Sequence, residues 1–262
     1  MGQSNEQYGD RMFTHLTQGE RARLDHLADA VSQYTYRDLA ELGVPAGERL
    51  LDLGGGTGVV AQRLAEMRPG TEIVCVDRSV ALMSEGTGYT PLEADVCDRT
   101  TWDRLGSFGL VHARNLLMHL RKRDFVFERM MEAVVPGGWL MVADMVDAPE
   151  LRRSLRFRET FAQLRSYMEA ELGTSMTCAT TYAQRMHDAG MTDVGVSYDC
   201  LIVGPDKPGA AFMARTLRHL WPDIVSKGYA KPDGADEAIA YLEGGQHWDS
   251  AIAFVTAWGR KG

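Results

Sequence analysis

Asp52, Gly54, Gly56 and Gly58 fall within LLDLGGGTG, residues 50–58, and Asp77 closes the run VCVD further along the chain. Leu50, Leu51 and Leu53 read as the end of a buried strand, and the glycines let the backbone turn where side chains would collide with a ligand. VVAQRLAEM, residues 59–67, has helical spacing and ends before Arg68-Pro69-Gly70. A second strand then delivers Asp77 at its carboxyl end, where a carboxylate accepts hydrogen bonds from both hydroxyls of a ribose. Strand, glycine turn, helix, strand and acid together make a nucleoside-binding unit. The dinucleotide pattern G-x-G-x-x-G is broken, because the residue three after Gly56 is Val59. A nucleotide-dependent oxidoreductase is therefore the weaker of two enzymatic readings. Three further side chains bear chemistry. His119 and His15 have the residue type suited to moving a proton at neutral pH, although a lone histidine more often serves structure. Arg114 follows a strand, FGLVHA, and is placed to bind a carboxylate or to hold its own loop by a salt bridge.

The stretch around Asp52 resembles the class I S-adenosylmethionine-dependent methyltransferases, which carry E/D-x-G-x-G-x-G there. VHARNLLMHL, then PGGWL at residues 136–140, and the terminal TAWGRK resemble the small-molecule methyltransferases of bacterial, actinobacterial-type secondary metabolism. The resemblance covers nearly the whole chain. It implies an α/β Rossmann-like fold: a seven-stranded, mostly parallel sheet with an antiparallel last strand, and helices on both faces. It implies S-adenosyl-L-methionine as cofactor and S-adenosyl-L-homocysteine as product. The implied cofactor contacts are Asp52, Gly54, Gly55, Gly56 and Gly58 in the turn, Asp77 and Arg78 at the ribose, Asp95 and Val96 at the adenine, Arg114 at the methionine carboxylate, and Tyr8 from an N-terminal lid. Asp95 also fits a bland alternative, a turn-initiating aspartate.

Those elements must be positioned by the rest of the chain. Residues 20–42 have helical periodicity, so residues 1–43 form an N-terminal helical cap or lid, with Tyr8, Met12, Phe13 and His15 in an apolar cluster ahead of the helix. Residues 44–262 form the cofactor-binding domain, with helical insertions at about 150–190 and 205–247 that cover the substrate. A short helix is expected at 80–84, a third strand at 90–96, one long helix at 151–172 and another at 181–189. Most apolar residues of the insertions pack on the sheet; Phe157, Phe161, Tyr182 and Trp248, with Met12, Phe13 and Met118, are the candidates for an apolar substrate wall.

A formal net charge of −8 argues against a partner held by a basic surface, such as nucleic acid or an anionic membrane. No apolar run is long enough to span a bilayer, and a cytoplasmic protein is expected. The four cysteines have no metal or redox spacing. Asp144 and Asp147 lack the neighbours of an octahedral oxygen site, so no metal is expected. The leading function is methyl transfer to a small, largely apolar, natural-product-like molecule; a binding protein or a non-methylating enzyme on the same fold stays open. An oligomer through the N-terminal helical segment is also open.

Overall fold

The computed structural model describes residues 18–84 and 88–262. Tyr8, Met12, Phe13 and His15 lie outside the described residues. The chain runs α1 (Gln18–Glu41), β1 (Leu50–Leu53), α2 (Val59–Met67), β2 (Ile73–Asp77), β3 (Thr90–Glu93), α3 (Arg99–Leu105), β4 (Phe108–Arg114), α4 (Arg123–Ala133) and β5 (Val134–Val146). It continues through α5 (Leu155–Tyr167), α6 (Tyr182–Asp188), β6 (Thr192–Val203), α7 (Pro208–Ser226), α8 (Asp236–Glu243) and β7 (Asp249–Arg260). Strands of Leu, Ile and Val with scarcely a polar break, such as β1, are buried on both faces, as strands of a parallel sheet covered by helices must be.

One seven-stranded sheet results, in the order β3-β2-β1-β4-β5-β7-β6. β1 to β5 pair in parallel, and β7 lies antiparallel between β5 and β6. This is the Rossmann-like topology expected from the sequence. β1 has β2 on one side and β4 on the other, so the direction of winding reverses there. A crevice opens at the carboxyl ends of β1 and β4, where ligands sit in open α/β sheets.

α1 does more than cap the sheet. Tyr36 Oη donates to the carbonyl of Val59 at 3.4 Å and Tyr34 Oη to that of Cys200 at 3.2 Å. Arg37 grips Asp199 through two bonds of 2.9 and 2.8 Å, so the helix reaches from α2 to β6. α5, α7 and α8 fill the same side around Phe157, Met213, Leu217 and Leu220, while α4 and α6 cover the other around Phe127, Met130 and Met186.

Several boundaries differ from expectation. The segment at 80–84 makes turns and no helix, and the third strand stops at Glu93. The long helix expected from 151 begins at Leu155, because Ser154 Oγ caps it by accepting the Phe157 amide at 3.2 Å; it ends in a π-helical turn, Met168–Leu172. α3 was not anticipated. Its signal is Asp98, which accepts the Thr100 amide at 2.9 Å as an N-cap. β5, read from the sequence as residues 139–145, also takes in Pro136-Gly137-Gly138 and runs from Val134 to Val146.

Candidate active site

The glycine turn is built against β2. The amides of Gly54 and Gly55 donate to the carbonyl of Val76 at 2.8 and 3.2 Å. A Cβ on Gly55 would fall 2.1 Å from Cys75 Sγ, so this glycine is required by packing. Gly56 has φ 57°, and a Cβ there would meet nothing within 4 Å; its open side is a cavity. Asp77 ties the turn to its own strand, Oδ2 accepting the Gly56 amide at 2.9 Å and Oδ1 the Ser79 amide at 3.2 Å. Beneath them Asp52 Oδ1 and His112 Nδ1 are 2.7 Å apart in the sheet interior. Burial, with Asp52 and Asp77 nearby, pushes the Cys75 thiol far above its usual range.

The cavity encloses about 480 Å³ and has two ends. At the first, Asp52, Gly54, Gly55, Gly56, Asp77, Arg78, Val96 and Arg114 all line it. Arg114 Nη1 donates to Ser32 Oγ at 3.1 Å and Thr35 Oγ1 at 3.3 Å, both on α1. Burial lowers its proton affinity, and the Asp52 charge opposes that. Asn115, next along, holds φ 52° and turns a buried Oδ1 that has no hydrogen-bond partner among the described residues. A non-glycine residue held there, on the cavity wall, is strain of the kind found at ligand sites.

The other end is apolar. Met118, Met145, Met168, Met176 and Met213 surround it with Phe161, Leu164, Phe212 and Ile252. Its polar edge is His119, with Nδ1 3.3 Å from Thr174 Oγ1, and a buried ion pair on α1 in which Arg23 Nε and Nη2 each reach Glu20 at 2.7 Å. Arg23 also lies 5.3 Å from the ring centroid of Phe212. Burial pushes the His119 imidazole down to about 3, helped by the charges of Arg23 and Arg123. Glu20 and Arg23 line a second, outer cleft of about 880 Å³ as well, so this pair is the partition between the two spaces.

Five expected contacts do not line the cavity. Gly58 is the left-handed N-cap of α2, and a Cβ there would strike Tyr89 Oη at 2.0 Å. Asp95 turns its Oδ1 onto the Cys97 amide at 2.8 Å, the turn-forming role, while Ala94 and Val96 on either side face the cavity. Phe157 is buried behind Phe161, edge-on at 6.2 Å between ring centroids. Tyr182 is buried with its hydroxyl 2.6 Å from Asp144 Oδ2. Trp248 is 55% exposed, under the Lys207 ammonium. Sequence reasoning missed the α1 wall, Asn115 and the methionines at 145, 168, 176 and 213. Methionine carries no chemical signature that separates a pocket wall from a core filler. Among the described residues no group of three or more His, Cys, Asp or Glu side chains is arranged to hold a metal, and no helix is long and apolar enough to cross a membrane.

Known proteins share this organisation. A family model described as a methyltransferase domain matches residues 23–196. Methyltransferase str3 of Strobilurus tenacellus is 25% identical over 262 residues, spanning 94% of both chains. Phosphoethanolamine N-methyltransferase 1 of Arabidopsis thaliana is 26% identical over 160 residues, which cover 59% of this chain and 30% of that protein. Among solved structures, the Haemonchus contortus phosphoethanolamine N-methyltransferase 2 complex with S-adenosyl-L-methionine superposes with a TM-score of 0.60 at 14% identity, over 99% of this chain and 60% of that one. That likeness is one of fold. The open cradle at Gly56, the carboxylate of Asp77 and the strained Asn115 fit a nucleoside carrying an amino-acid tail. With the topology, the crevice at its reversal point and the family match in agreement, the chain belongs to the methyltransferase-domain family and is a class I S-adenosylmethionine-dependent methyltransferase.

Proposed function

We propose that the protein transfers the methyl group of S-adenosylmethionine to a small, largely apolar molecule held among the methionines. The observation that carries this reading is the two-ended cavity: a polar end at the glycine turn opens directly into an apolar end of Met118, Met145, Met176 and Phe161. When bound, S-adenosylmethionine would supply a methyl carbon on its sulfonium: the acceptor's nucleophilic atom would bond to that carbon in line as the carbon–sulfur bond breaks, S-adenosylhomocysteine leaving with the bonding pair as a neutral thioether and any proton on the acceptor atom passing to solvent.

The chain's part is to hold the partners in line and exclude water. Asp77 orients the ribose, its hold on the Gly56 amide keeping the carboxylate in place. Arg114 takes the methionine carboxylate, already desolvated and lightly held by two hydroxyls, and Asn115 offers its buried Oδ1 to the ammonium. Thioethers adapt to the outline of a flat acceptor and make favourable contacts with aromatic rings. His119, kept neutral by its surroundings, shapes the acceptor end and is not the proton acceptor. Arg23 is committed to Glu20, which leaves a multiply charged acceptor poorly matched to this end. The cytoplasm as location belongs to the same reading, as does the absence of a nucleic-acid partner, which the net charge of −8 supports. The cap or lid role of residues 1–43 and an oligomer formed through the N-terminal helical segment belong to the same reading; of that segment, residues 1–17 lie outside those described.

Incubation with S-adenosylmethionine labelled in its methyl group, against a panel of phenols, polyketide-like aromatics, phosphoethanolamine and trans-aconitate, tests this. Label is expected in apolar members. Label only in phosphoethanolamine or trans-aconitate overturns the apolar reading.

A further inference from the structure

Met118 and His119 stand on a single 3₁₀ turn, Leu117–His119, too short to hold itself. Other elements clamp it. The Met118 carbonyl accepts the Ser175 amide at 2.7 Å, and Arg123 donates to the carbonyls of both Leu117 and Gly173. These bonds join the turn to the loop bearing Met176, so two cavity walls move together. From the sheet, Asp144 on β5 anchors it, its Oδ2 accepting the Met118 amide at 3.2 Å.

Asp144 is completely buried. The same Oδ2 accepts the Tyr182 hydroxyl at 2.6 Å, and Tyr182 Oη lies 3.1 Å from Cys178 Sγ while its ring stacks on Phe127 with centroids 5.3 Å apart. Oδ1 makes no hydrogen bond of normal length among the described residues. Neither Asp144 nor Tyr182 lines the cavity, so neither touches a ligand. A buried carboxyl with one oxygen poorly served costs stability that an apolar pair of like volume would not. What it does supply is a directional hold on the turn.

We propose that Asp144, oriented by Tyr182, is the positioning residue of the acceptor wall, setting where Met118 and His119 stand. The inference rests on reading that end of the cavity as the acceptor site. Burial pushes the Asp144 carboxyl up to about 7, while Tyr182, the Met118 and Leu116 amides and the Arg123 charge pull it the other way. The groups facing it are Tyr182 from α6, Cys178 from the turn before α6 and Arg123 from α4; burial and Asp144 itself raise both Tyr182 and Cys178, so each stays protonated near neutrality. The carboxylate accepts the Met118 amide more strongly than the neutral acid does, because charge-assisted bonds are shorter. The turn is therefore drawn toward β5 as pH rises through this value and relaxes below it.

Methionine-methyl ¹³C NMR of the protein, with the Met118 signal assigned from Met118→Leu, tests this without any acceptor. The Met118 methyl is expected to move between pH 5.5 and 8.5 with a midpoint near 7, while that of Met67 on α2 stays still. Asp144→Asn should hold the Met118 signal fixed. Tyr182→Phe, which removes a donor from the carboxylate, should move the midpoint upward, and carries the test alone if the Asn variant does not fold. A Met118 signal that does not titrate in the wild type, or that titrates unchanged in either variant, overturns the proposal. S-adenosylhomocysteine titrated into the same wild-type sample separates the two readings: its failure to bind refutes the function and leaves the Met118 titration to be judged by itself.

Discussion

His119 and Asp144 are buried on neighbouring elements, and their environments displace them in opposite directions. His119 falls from its ordinary 6.5 to about 3, so the folded protein binds fewer protons there than the unfolded chain. The stability this group contributes is present above pH 6.5 and is lost as pH falls toward 3. Asp144 rises from 3.8 to about 7; its contribution is present at low pH and is lost as pH rises through 7. On acidification from about pH 7 to 4.5, His119→Gln should lose less melting temperature than the wild type and Asp144→Asn should lose more, read by thermal denaturation in matched buffers. Equal slopes in all three would show that neither group is displaced. At this scale the glycine-turn end of the cavity was legible, because Asp52 to Gly56 and Asp77, which line it, sit in two short runs of sequence. Asp95 was legible as one of two alternatives, and the Cys97 amide two residues on decides for the turn. Tyr182 was not, because its direction is decided by a hydrogen bond to the Asp144 carboxyl, absent from any linear pattern.

Elements pack here with little slack, most visibly where the glycine turn crosses β2. Gly55→Ala forces a Cβ onto Cys75 Sγ, an overpacking expected to cost about 1–3 kcal/mol. Cys75→Ala removes the struck atom, so the double variant should recover much of that loss, with a coupling energy of at least about 0.5 kcal/mol in a denaturation cycle. Simple additivity would mean that the turn yields by shifting its backbone. Strand identity was readable from apolar runs separated by helical periods, while the mostly parallel sheet and its antiparallel last strand followed from the resemblance. Helix limits were less so. Leu151 and Leu155 extend the apolar pattern that begins in α5, yet both are exposed at 51% and 69%, and the Ser154 cap outweighs the pattern. α1 was legible as a helical cap from its periodicity, but not as a wall of the cavity, because buried polar residues take that part: Arg23 and Glu20 pair with each other, and the hydroxyls of Ser32 and Thr35 hold Arg114.

For the molecule as a whole, ligand binding and global stability are one equilibrium. S-adenosylhomocysteine at a hundred times its Kd should stabilise the fold by about 2.7 kcal/mol and raise its melting temperature, whereas NADH at the same concentration should leave it unmoved. A shift with NADH alone would reverse the reading of the glycine turn. α1 gives the molecule a further property. Its bonds to β6 join residues 162 and 166 positions apart, so these holds on the helix that walls the cavity and braces Arg114 form only once β6 has been made, long after α2 offers Val59 to Tyr36. At ~5–20 residues per second of synthesis, α1 waits on the order of ten to thirty seconds in a nascent chain for them. The glycine turn, β2 and β4 emerge within that interval. Birth order and assembly order are thus opposed: a late strand takes hold of the first of the described helices.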